Sequence, residues 1–90
     1  MPRYLVERTY PGSLDLRAGS QGALGCAALV ATNAQHGVTW VHSYVTPDRH
    51  RTYCIYDGPS PEAIRIAAKA AGLPVDRITE VRVLDPYFAF

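Results

Sequence analysis

Val38-Thr39-Trp40-Val41-His42-Ser43-Tyr44-Val45-Thr46 leads through Pro47-Asp48-Arg49-His50 into Thr52-Tyr53-Cys54-Ile55-Tyr56-Asp57. Both flanking runs are rich in β-branched and aromatic residues, which suit a pleated and half-buried backbone. Pro47-Asp48 favours a turn, because proline presets φ and the aspartate side chain can bond its own backbone. The segment predicts two antiparallel strands over 38–46 and 52–57, joined by a loop of four or five residues.

A central hairpin constrains what lies on either side. Upstream, Ala23, Leu24, Ala27, Val30, Ala31 and Ala34 recur at helical spacing between Ser20 and Gln35, and Gly37 is placed to stop that helix. Gly22 and Gly25 each cost it about 1 kcal/mol relative to Ala, which leaves its start open. Before it, Arg3-Tyr4-Leu5-Val6-Glu7-Arg8-Thr9-Tyr10 reads as a strand ended by Pro11-Gly12. Downstream, Ser60 is a cap with Pro61 at the first helical position and Glu62 at the favourable end of the dipole. Ile64, Ala67, Ala68 and Ala71 form the apolar stripe, Gly72 ends the helix, and Pro74 prevents its return. Residues 78–84 form a last strand, ended by Asp85-Pro86. The order is β-α-β-β-α-β, which predicts an α+β, ferredoxin-like domain: a four-stranded antiparallel sheet with two helices on one face.

Ninety residues make a single domain, 1–90. Charged residues are only 19% of the chain, fewer than a lone domain of this size needs to cover itself. Plain alternation along the second strand puts Trp40, His42 and Tyr44 on one side and Val41 and Val45 on the other, so both sides read as buried. The expectation is a homodimer or higher oligomer in which two sheets pack face to face, a dimeric α+β barrel. The aromatic tail Tyr87-Phe88-Ala89-Phe90 reads as an arm laid over the neighbour. A net charge of +1 without any Lys/Arg block argues against nucleic acid as a partner. The apolar run Ala27–Ala31 is far too short to span a bilayer, so no membrane partner is expected. The first residues read as a strand, not as a signal peptide. Cys26 and Cys54 form no C-x-x-C pair, so two reduced thiols in a cytoplasmic protein is the expectation.

His36, His42, His50, Cys26 and Cys54 are the soft or borderline donors. His42 and Cys54 lie on strands expected to pair. They share a face if paired residue numbers sum to an even value and are separated if the sum is odd. Glu7 and Glu80, on the outer strands, could add carboxylates, so the candidate metal ligands are His42, Cys54, Glu7 and Glu80. Plainer readings stand beside these. His42 could bond the hydroxyl of Tyr44 or Tyr56, Cys54 could be a small core residue, Cys26 inert, His36 a helix-end residue and His50 solvent-exposed. A different reading has Tyr4, Tyr44 and Tyr56 lining a pocket between sheet and helices. That pocket would serve a cofactor-independent α+β barrel enzyme or a small-molecule-binding barrel, with His42 as base beside Glu80 or Asp57. A third reading is an interaction module without chemistry, since fold alone decides nothing.

Met1-Pro-Arg-Tyr-Leu-Val-Glu-Arg-Thr9, Trp40-Val-His-Ser-Tyr-Val-Thr46, Thr52-Tyr-Cys-Ile-Tyr-Asp57, Pro61-Glu-Ala-Ile-Arg65 and Ala71-Gly-Leu-Pro-Val-Asp-Arg-Ile-Thr-Glu-Val81 resemble a bacterial family of domains of unknown function. That family includes a nickel-responsive, nickel-binding protein from an actinomycete. The resemblance implies a ferredoxin-like fold, a homodimer and a cytoplasmic, non-enzymatic role, with nickel as the first candidate cofactor. Where the family pattern continues Arg-Glu-His-Ala in the second helix, this chain has Arg65-Ile66-Ala67-Ala68, so a helical carboxylate and imidazole are replaced.

Overall fold

The computed structural model describes residues 2–12 and 29–87. Four strands form one antiparallel sheet: β1 (Arg3–Thr9), β2 (Thr39–Val45), β3 (Arg51–Asp57) and β4 (Arg77–Val81), in the spatial order β2-β3-β1-β4. Residues 29–35 are helical (α1), and Pro61–Ala70 form α2. This is the predicted ferredoxin-like arrangement. The expected start of the first helix lies outside the described residues. No described helix is long and apolar enough to cross a membrane.

The breakers act where their chemistry places them. Gly37 has φ +70, a left-handed conformation that costs an ordinary residue steric energy, and it closes the turn that ends α1. The Ser60 hydroxyl accepts from the Ala63 N–H at 3.2 Å, with Pro61 in the first turn. Ile64, Ala67 and Ala68 are the buried face of α2.

Alternation along β1 divides the sheet. Tyr4, Val6 and Arg8 are buried, and Val6 is wholly enclosed. Tyr4, Val6, Val38, Cys54, Tyr56, Ile64 and Ala67 make one core cluster between sheet and helix, with Trp40 and Ile78 packed against it. The other face carries Leu5, Tyr53 and Ile55, all half-buried.

Two expectations are corrected. The last strand stops at Val81 rather than at Leu84, because Val81 pairs with Arg3, the first residue of β1, and β4 then has no partner. Val83 and Leu84 are exposed beyond it. The second correction is in β2. The pairs Thr39–Asp57 and Trp40–Tyr56 are followed by His42–Ile55, Ser43–Cys54 and Val45–Thr52, so Val41 is the extra residue of a β-bulge. Trp40, Ser43 and Val45 therefore stand on the helix side, and His42 and Tyr44 on the open side. The Trp40 indole N–H donates to the Ser43 hydroxyl at 2.8 Å across the bulge. Plain alternation had kept Trp40, His42 and Tyr44 together.

Candidate functional site

The bulge settles the question of register. From His42 onward the paired numbers sum to 97 (42 + 55), an odd value, so His42 and Cys54 occupy opposite faces. Cys54 is buried under the helical layer, and its thiol donates to the Thr52 hydroxyl at 3.5 Å. His42 is exposed on the open face, where its ring meets Tyr44 edge-on at 5.2 Å between centroids. The structure does not bring these two donors together.

The carboxylates are divided in the same way. Glu7 lies on the open face two strands away from β2, and its oxygen is 3.7 Å from an Arg51 nitrogen. Glu80 pairs with Tyr4, which puts it on the helix side, exposed on the outer strand. It borders a surface cleft of about 390 Å³ shared with Arg3, Asp57 and Arg82. In that cleft the Arg3 Nε donates to Asp57 at 2.8 Å. This bond holds the Asp57 carboxyl below its ordinary range. No three of His, Cys, Asp and Glu converge among the described residues. One protomer's described donors do not fit a nickel centre.

The tyrosine pocket is also divided. Tyr4 and Tyr56 face each other directly across β1 and β3 and are buried in the core. Tyr44 is 63% exposed on the opposite face, so these three rings do not line one cavity. Burial pushes the Tyr56 phenol up to about 12, which keeps it protonated as a hydrogen-bond donor.

His50 departs from the solvent-exposed expectation. Its carbonyl accepts from Tyr10 N–H at 2.7 Å, and its Nδ1 lies 3.0 Å from Tyr10 O. A carbonyl only accepts, so Nδ1 is the protonated nitrogen and His50 fastens the hairpin loop to the end of β1. The loop is closed by Asp48, which accepts from the Thr46 hydroxyl at 2.6 Å and from His50 N–H at 3.0 Å. The residue that sequence reasoning missed is Arg8, a buried cation. Its signal was its position: it keeps the core phase of Tyr4 and Val6.

Ala67, where the family resemblance placed an absent helical imidazole, is 1% exposed in the core cluster, so that position serves packing in this chain.

Comparison with known proteins agrees with this architecture. The crystal structure of SCO4226 from Streptomyces coelicolor A3(2) superposes with a TM-score of 0.72, covering 92% of this chain and 99% of that one. At 21% identity this likeness carries the fold alone. No curated protein matches the chain. The family model described as nickel responsive protein SCO4226-like matches residues 4–81, from within β1 to the end of β4. The chain belongs to the SCO4226-like family of nickel responsive proteins.

Proposed function

We propose that this chain is a small, cytoplasmic, non-enzymatic protein of a nickel response, and that it works as a homodimer joined through the open sheet face. Nickel is held with His42 as the imidazole donor, and the remaining donors come from a second copy. The observation that carries this reading is the placement of His42: an exposed imidazole beside Tyr44 on the face that the helices leave uncovered. That face has Leu5, Tyr53 and Ile55 at its middle, flanked by two ion pairs, Arg3 with Asp57 and Arg51 with Glu7. These four charges cancel, so the apolar middle of the face can meet its own copy without like-charge repulsion there. Since the described residues of one protomer assemble no ligand set, dimerisation and metal binding are one proposal. Cys54 has no part in it.

Isothermal titration of nickel into metal-free, untagged protein tests the reading, with light scattering on the same samples. Saturable binding of micromolar strength by a dimer is expected. It should weaken on acidification, because a ligating imidazole must be unprotonated. His42→Ala should lose at least about tenfold in affinity, about 1.4 kcal/mol. Cys54→Ser and His36→Ala should bind as the parent does. Undiminished binding by His42→Ala, or a monomer at micromolar concentration, overturns it.

A further inference from the structure

Of the side chains that β1 sends beneath the helical layer, Tyr4 and Val6 are ordinary core residues, whereas Arg8 is a permanent cation with 2% exposure. Its backbone pairs with Thr52. Its guanidinium carbon nevertheless lies 5.5 Å from the centroid of the Tyr56 ring, four residues further along β3. The side chain therefore runs along the inner surface of the sheet, and Nη2 donates to the Tyr56 hydroxyl at 3.4 Å. Nη1 is buried and has no hydrogen-bond partner among the described residues. No carboxylate pairs with Arg8 among them either.

A guanidinium cannot shed its charge, and a core does not retain one uncompensated without cost. The described groups it meets are neutral: Thr52 opposite it on β3 and the ring and hydroxyl of Tyr56. We infer that Arg8 and the Tyr56 hydroxyl form an anion site beneath the helices that takes one small monocarboxylate. A single fixed positive charge is balanced by a single negative one, whereas a dianion would leave the excess buried. The two carboxylate oxygens match the two donors on offer, the free Nη1–H and the phenol O–H. The phenol accepts from Nη2, and its own proton, held in place by burial at neutral pH, can turn from the weakly accepting Cys54 sulfur to the ligand. Tyr4, Val6 and Ile64 nearby suit a ligand with a short apolar body. The same guanidinium makes this side of the sheet hostile to a metal cation, in keeping with the exclusion of Cys54 from the nickel reading.

The site faces away from His42, so its test is independent of nickel. Backbone and arginine side-chain NMR resonances of the full chain are followed while sodium propionate is added, with propionamide and inorganic phosphate as comparison probes at matched ionic strength and pH. Saturable shifts at Arg8 and along the inner faces of β1 and β3 are expected with propionate alone. Arg8→Met should abolish them, Tyr56→Phe should weaken the affinity several-fold, and Arg65→Met, at an exposed position of α2, should leave it unchanged. If Arg8→Met does not fold, the Tyr56→Phe series and the probe comparison carry the test. No saturable response to propionate, an equal response to propionamide or phosphate, or a response that survives in Arg8→Met overturns the inference.

Discussion

Replacing Ile64 by Ala tests how α2 is held to the sheet. Ile64 is 1% exposed and is the only large side chain on the buried face of α2, since Ala67 and Ala68 make up the rest. Gly58 and Val38 close over it so tightly that a Cβ built on Gly58 would stand 3.4 Å from Ile64 Cγ1 and 3.4 Å from Val38 Cγ2. Ile→Ala removes three carbons, worth about 2.4 kcal/mol at about 0.8 per buried CH₂. A residual cavity adds to this, because the sheet cannot follow the shortened side chain, so the loss should be about 3–4 kcal/mol. The control lies two residues away. Ile66, on the same helix, is 56% exposed, and Ile66→Ala makes the same change in helix propensity with almost no change in burial. The difference between the two variants therefore reads burial alone. Urea unfolding followed by Trp40 fluorescence, at equal protein concentrations, is the assay. With a slope of about 1–1.5 kcal/mol per M for a chain of this size, Ile64→Ala should lower the midpoint by about 2–4 M relative to Ile66→Ala. A difference equivalent to less than about 1 kcal/mol would refute the packing argument.

The alkaline limb of stability should belong to Tyr56. Its folded value of about 12 exceeds the ordinary 10.0, so its contribution is complete below pH 10 and is lost as pH rises toward 12. Denaturant titrations of Tyr56→Phe should show a flatter decline over that interval, and an unchanged slope sinks the assignment. Asp57 acts on the acid side. Its hydrogen bond from Arg3 lowers its value below the usual 3.8, so the contribution is present above about pH 4 and disappears as pH falls further. Asp57→Asn should lose less stability on acidification than the parent, by a modest margin because the pair is partly exposed. Equal acid limbs in the two proteins would exclude that role.

What was legible in the sequence is what local chemistry decides. The hairpin follows from two β-branched and aromatic runs around Pro47-Asp48, and α2 from Ser60, Pro61 and an alanine stripe closed by Gly72. Each of these signals acts within a few residues of where it stands. The failures share a different cause. The bulge at Val41 has no glycine to mark it, since it depends on how β2 twists against β3 and not on any intrinsic preference of valine. The early end of β4 depends on where β1 begins, information carried far away in the chain. Arg8 was assigned no role because a cation in a strand ordinarily turns to water. Only the register with Thr52 and the reach to Tyr56 show that it does not. The bulge also decides the register that the sequence left open, because it puts His42 and Tyr44 together on the open face.

That one inserted residue also governs how relatives of this chain can be compared. A bulge shifts the phase of everything after it, so a column of identical histidines in an alignment does not guarantee that the imidazoles project from the same side of the sheet. In a homologue that kept this residue but paired it regularly, Val41 would face Ile55, the position equivalent to His42 would stand directly across from the cysteine, and the two could chelate one ion. In this chain the same two letters are insulated from each other by the thickness of the sheet. Deleting Val41 would leave His42 opposite Ile55, whereas straightening the strand with Val41 in regular pairing would convert one arrangement into the other. Ligand sets can thus be gained or lost within such a family by forming or straightening a bulge, with no substitution at the ligands themselves.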